Sequence, residues 1–191
     1  MTEKNSYWWV SALGAFMAGT LYCAMHLLNN WLFKAIEVSG HINVIYLPAF
    51  IRLASVLILG LEWGTLGIAI GGLMLLSWSA DANIWIALAN LVVSASVAAV
   101  SVLVLQALLR RRLSVTRLLD LLQLSVLYAL LNALLHHLVW SVVDPLQLLY
   151  PMQVLHMALG DILGVLIGAL LLRWLSHRTR LTQRLRDRSS A

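Results

Sequence analysis

The chain has 191 residues, of which 61% are hydrophobic and 11% charged, and its mean hydropathy is +0.87. A soluble domain is near half apolar and a quarter charged. Composition therefore excludes a water-soluble globular enzyme and predicts an all-α, polytopic integral membrane protein. The net charge of +5 comes from one arginine-rich loop and the C-terminal tail, which suit anionic lipid headgroups, and says little about nucleic acid.

Six transmembrane helices are predicted, in a bundle that fills residues 1–175 and leaves 176–191 as a basic cytoplasmic tail. The first runs from Tyr7 to Leu28. It follows a weakly charged start, Met1 to Ser6, and lacks a cleavage site, so it reads as a retained span and not a signal peptide. Cys23 within it is the single cysteine, which leaves no disulfide framework and no CxxC metal motif; it reads as an apolar packing residue. The second helix runs from Val44 to Leu61. Pro48 lies near its start, where a missing N–H costs nothing. The third, Gly64 to Trp78, is joined to the second by Glu62 and Trp63 alone, so the two form a tight hairpin or a partly re-entrant pair; five or seven spans are the alternatives. The fourth runs from Ile84 to Leu109, the fifth from Leu118 to Val143, and the sixth from Leu148 to Leu175, with Pro145 and Pro151 at the turn before it. Beyond it, Leu181 and Leu185 in the stretch Leu175 to Arg188 suit a short helix lying at the membrane interface.

Orientation follows from Lys and Arg. Arg110, Arg111, Arg112 and Arg117 lie between helices four and five. Arg173, Arg178, Arg180, Arg184, Arg186 and Arg188 close the chain, and Lys4 opens it. Six spans put all of these on the cytoplasmic side of a bacterial inner membrane, with both termini inside and the arginines against anionic headgroups. The opposite loops, Asn29 to Asn43, Ser79 to Asn83 and Asp144 to Gln147, contain no arginine. Trp8, Trp9, Trp31, Trp63, Trp78, Trp85, Trp140 and Trp174 fall near predicted span ends, as an interfacial belt requires. Glycines at spacing four, Gly160, Gly164 and Gly168, and the run Gly64, Gly67, Gly71 and Gly72, permit close helix approach; packing within one chain is preferred to a dimer face.

Against this background Arg52, His136, His137, His156 and Asp161 stand out. An Arg or Asp at mid-span costs about 2.5–3.5 kcal/mol on insertion scales, so such residues pair, line a cavity or bind something. At about 1.5 Å per residue all lie in the outer half of the membrane or at its midplane. Tyr128, Asn132, His136 and Trp140 recur every four residues and share one helix face; Gln153, His156 and Gly160 share another, with Asp161 at its edge. The candidate ligand-binding set is therefore Arg52, Asn132, His136, His156 and Asp161, with Arg52 and Asp161 as the expected ion pair. Asn90 and Asn132 also suit plain interhelical hydrogen bonds, and His26 and His137 read as interfacial or packing residues.

Leu47-Pro48-Ala49 with the apolar helix after it, then Gly60 and Leu66-Gly67-Ile68-Ala69-Ile70-Gly71-Gly72, resembles the early helices of bacterial membrane-associated sensor domains of the first type. Gly160-Asp161-Ile162-Leu163-Gly164-Val165-Leu166 resembles a late helix of that family. The resemblance implies an inner-membrane module that senses a small ligand, with Pro48 and Asp161 as the residues carried over. Members of that family are fused to an output domain; here no such domain follows, so a signal would pass to a partner protein. Arg52 also departs from the family pattern.

The expected function is thus a ligand-binding or sensory membrane module, surrounded by lipids and signalling through a partner. The alternatives are a small transport component, a haem- or metal-binding membrane protein, and a structural subunit of a larger complex. An enzyme is not expected, since no HExxH, no GxSxG and no paired acids occur within a span. Cofactor, metal, ligand identity and oligomeric state stay open at this point.

Overall fold

The computed structural model describes residues 3–39, 42–77, 84–114, 117–143 and 150–189. Trp78, the loops 79–83 and 144–149, and the side chains of Lys4, Arg180, Arg184, Arg186 and Arg188 lie outside the described residues. The described residues form five α-helices: α1 (Glu3–Phe33), α2 (Pro48–Leu76), α3 (Ile84–Leu109), α4 (Leu118–Val143) and α5 (Pro151–Ser189). A 3₁₀ turn (Lys34–Ile36) and two short antiparallel strands, β1 (Glu37–Ser39) and β2 (Ile42–Asn43), connect α1 to α2. All five helices are long and apolar enough to cross a membrane.

The boundaries of α3 and α4 coincide with the fourth and fifth predicted helices, because both are uninterrupted Leu, Ala and Val runs with no internal Gly or Pro. Pro48 and Pro151 begin α2 and α5, where proline's fixed φ suits a first turn. The sixth predicted helix does not stop at Leu175: α5 continues unbroken into the tail, where no Gly or Pro interrupts it.

The structure differs from the six-helix expectation at residues 60–63. Predicted helices two and three form one element, α2, but that element is not straight. Gly60 has φ 85° and ψ 171°, a combination open essentially to glycine alone. A methyl group at Gly64 would meet the backbone of Val56 and Ser55 at 2.5 and 2.7 Å. In a straight helix residues eight apart are separated by about 12 Å. Hence the arms 48–59 and 61–76 fold back on each other about Gly60. α1 registers this: Gly14 faces Leu59, whereas Ala15 and Ala18 face Gly67 and Gly19 faces Gly71. α1 is therefore antiparallel to the first arm and parallel to the second. Trp8 stacks edge-on against Trp63 just beyond the turn.

α2 is the centre of the bundle, packed on α1, α3 and α5, while α4 closes the ring between α3 and α5. Leu53, Val97, Leu124, Tyr128 and Val165 are among the fully buried side chains. The Gly160, Gly164 and Gly168 row is spent inside the chain. Methyl groups there would strike the carbonyl oxygens of Asn43 and Tyr46 and the ring of Phe50. The row lets the chain from Asn43 to Phe50 lie directly on α5. Outside, the polarity is inverted: Val10, Leu13, Met17, Leu108, Leu119, Leu138 and Leu170 are exposed, whereas Arg52, Asn132 and Asp161 are buried.

Candidate functional site

The site begins with a non-helical stretch. Residues 44–47 descend beside α5 before α2 starts. Tyr46 N donates to the Gly160 carbonyl (3.0 Å) and Leu47 N to Asn29 Oδ1 (2.9 Å). Irregular backbone is tolerated away from water only where protein satisfies its polar groups, and these two bonds do so. The first turn of α2 then closes on the same stretch, with Ala49 N and Phe50 N donating to the carbonyls of Tyr46 and Leu47. One turn later comes Arg52.

Arg52 is 3% exposed. Its Nη1 donates to Tyr128 Oη at 3.0 Å; its Nη2 donates to Tyr22 Oη at 2.7 Å and Tyr46 Oη at 2.9 Å. The guanidinium carbon also sits 5.0 Å from the centre of the Tyr22 ring and 5.1 Å from that of Tyr46, within cation–π range. Three phenols, from α1, from the 44–47 stretch and from α4, thus enclose one guanidinium. Its Nε has no hydrogen-bond partner.

Asp161, 1% exposed on α5, accepts a hydrogen bond from Asn132 Nδ2 at 2.7 Å. Asn132 is one helical turn beyond Tyr128 on α4, so the residues that hold Arg52 and Asp161 are neighbours. The expected ion pair is nevertheless not formed. Arg111 pairs with Asp120 at the far end of α4, but no Arg52 nitrogen comes within 4.0 Å of an Asp161 oxygen. The oxygen of the Asn132 amide, Oδ1, is buried without a partner. The reverse amide orientation would set that oxygen against the carboxylate, so the observed one is the favourable one.

The α4 stripe continues outward as predicted, with Tyr128, Asn132, His136 and Trp140 all buried. His136 Nδ1 donates to the Asn132 carbonyl at 2.9 Å, and Ser94 Oγ of α3 lies 3.5 Å from its Nε2. Trp140 Nε1 donates to Asn90 Oδ1 at 2.6 Å. His136 therefore belongs to an α3–α4 network adjoining Asn132. His137 is buried too, edge-on to Trp140 at 5.0 Å, with Nε2 unpartnered.

His156 is the departure. It is half-buried, and its Nδ1 donates to the Met152 carbonyl one turn back on its own helix. The α5 face that carries Gly160 and Gly164 is covered by residues 43–47, and His156 does not reach the cluster. Arg52, Asn132 and Asp161 are thus brought together, His136 adjoins them, and His156 stands apart. Tyr22 and Tyr46 are site residues that the sequence reading missed. His26, whose Nδ1 is 3.0 Å from Tyr46 Oη, supports the cage from α1. Among the described residues no three His, Cys, Asp or Glu side chains gather in a way that would hold a metal ion.

No protein-family model, curated protein or solved structure matches this chain.

Proposed function

We propose that the chain is an integral membrane module of the bacterial inner membrane that binds a small carboxylate-bearing ligand at Arg52 and passes its state to a partner protein. The observation that carries this reading is a buried guanidinium enclosed by three neutral phenols and touched by no carboxylate. Phenol hydroxyls satisfy its N–H groups but do not neutralise its charge. An ion withdrawn from water without a counter-charge in contact costs several kcal/mol even after relaxation. A ligand anion at the unpartnered Nε offsets that cost and turns it into affinity.

Membrane insertion is supported by the inverted polarity of the surface and by the length of the helices. Because α2 folds back, whether its two short arms cross or re-enter, the chain returns to the side it left, which puts Lys4, the arginines of 110–117 and the arginine tail together on the cytoplasmic side, as the distribution of positive charge demands. The likeness to membrane-associated sensor domains, resting on Pro48 and Asp161, agrees with a sensory role.

The test is binding to the purified full-length protein in lipid nanodiscs, followed by tryptophan fluorescence with a panel of small carboxylates. Arg52→Gln should remove the response while the protein still elutes as a folded monodisperse particle. A folded Arg52→Gln protein that binds the same carboxylates unchanged refutes the reading. A second reading, that the cluster only locks the fold, is favoured by one fact: Arg52 ties together α1, the 44–47 stretch and α4. It is the correct one if Arg52→Gln cannot be recovered folded and the wild-type protein binds no carboxylate.

A further inference from the structure

We infer that the ligand is a zwitterion of the amino-acid type, with its carboxylate on Arg52 and its ammonium on Asp161 and Asn132. This rests on the ligand-binding reading above and narrows it to a chemical class.

The cluster presents two unpartnered atoms of opposite character. Arg52 Nε–H is a buried donor, and Asn132 Oδ1 is a buried acceptor. Each is left over after its residue's other polar atoms have been used, by the three tyrosines in one case and by Asp161 in the other. A buried polar atom without a partner carries a desolvation penalty. A ligand with an acceptor at one end and a donor at the other meets both at once. A simple anion meets only the first.

Charge decides between those two ligand types. Arg52 and Asp161 together sum to zero. They are held apart, on partners one helical turn from each other on α4. A monocarboxylate on Arg52 brings a second negative charge beside Asp161 and leaves the buried cluster with a net charge of one. In a medium that screens weakly this is unfavourable. An amine alone has the mirror defect at Arg52. A zwitterion leaves the cluster neutral and places each of its charges against the opposite one. The separation of Arg52 from Asp161 then acquires a purpose: Tyr22, Tyr46 and Tyr128 hold the guanidinium back from a carboxylate that would otherwise quench it, and Asn132 holds the carboxylate from the other side.

The experiment uses the full chain in nanodiscs and matched probes: alanine, leucine and proline, each with its deaminated carboxylate (propionate, 4-methylpentanoate, cyclopentanecarboxylate) and its decarboxylated amine. Isothermal titration gives affinity, and thermal unfolding checks the fold. At least one amino acid should bind tenfold or more tightly than its deaminated partner and its amine. Asp161→Asn, nearly the same in shape, should erase that preference, leaving amino acid and carboxylate within about threefold. Carboxylates that bind as well as their amino acids, in an Arg52-dependent way, overturn the zwitterion and leave the ligand-binding reading standing. Binding by no probe, with a high-resolution map showing only an ordered water between Nε and Oδ1, overturns both. An amino-acid preference unchanged in Asp161→Asn overturns the assignment of the ammonium site.

Discussion

Gly60→Ala separates a folded-back α2 from a straight one by the sign of its effect. At Gly60 φ is 85° and ψ is 171°. A side chain there is strained by about 1–3 kcal/mol. A methyl group would meet nothing within 4 Å, so no steric term adds to the strain and no contact relieves it. Alanine also restricts the unfolded chain, which returns about 0.4–1 kcal/mol. The net expectation is a loss of about 1–2 kcal/mol. For a chain of this length about 2–4 °C accompanies each kcal/mol, so melting falls by about 2–8 °C. Were α2 an uninterrupted helix, the same change would stabilise it by about 0.5–1 kcal/mol, because glycine is the weaker helix former. Thermal unfolding in detergent followed by circular dichroism reads the sign directly. A Gly60→Ala protein that melts above wild type refutes the fold-back and, with it, six passes.

Glu62→Cys, in a Cys23→Ser background, should be labelled by a membrane-impermeant maleimide from the cytoplasmic face of inverted vesicles; labelling only from the opposite face would reverse the orientation. Gly164→Ala should destabilise the protein by at least about 1–3 kcal/mol, the usual cost of overpacking, because its methyl strikes the Tyr46 carbonyl; a neutral effect in a melt would show that residues 44–47 do not rest on α5. Tyr128→Phe removes one charge-assisted bond to Arg52. Bonds to charged groups are worth about 1.5–3 kcal/mol, whereas interhelical bonds in membranes average about 0.6, so we expect about 1 kcal/mol by denaturant titration and tighter carboxylate binding as the guanidinium loses a competitor. Asp120→Ala should lower the melting temperature more than Arg111→Ala, because Asp120 is buried and also accepts from Ser114 N at 3.0 Å, whereas Arg111 is partly exposed and screened by solvent; the reverse order would refute this.

What the sequence made legible is what depends on one helix at a time. The Tyr128–Trp140 stripe is a local periodicity, and it is buried as expected. Pro48 and Pro151 mark helix starts by their own chemistry. Depth along each helix placed Arg52 and Asp161 several Å apart, in the outer half of the membrane and near its midplane. The remainder depends on how elements meet. Tyr46 lies in a stretch with no helical period, so no face could be assigned to it, and Tyr22 looked like one aromatic among many in α1. His156 shares a helical face with Gly160 in projection, yet the 44–47 stretch lies on that face at Gly160 and Gly164 and leaves His156 outside. The ion pair failed for a related reason: the sequence supplies two opposite charges, but three phenols hold the guanidinium and Asn132 holds the carboxylate. The link of Glu62 and Trp63 suggested a tight hairpin or a partly re-entrant pair, and Gly60's dihedral angles and the Gly64 contact with Val56 show where the chain reverses.

The bond from Tyr46 N to the Gly160 carbonyl joins residues 114 positions apart, and this has a consequence for how the chain is made. α1 through α4 are synthesised before Gly160 is. Until α5 arrives, the 44–47 stretch lacks the surface on which its backbone is satisfied, so the start of α2 and the placement of Arg52 wait on the last helix. The cluster around Arg52 is therefore the last part of the molecule to form, and a nascent chain stalled before residue 160 holds its buried cation in an unfinished fold.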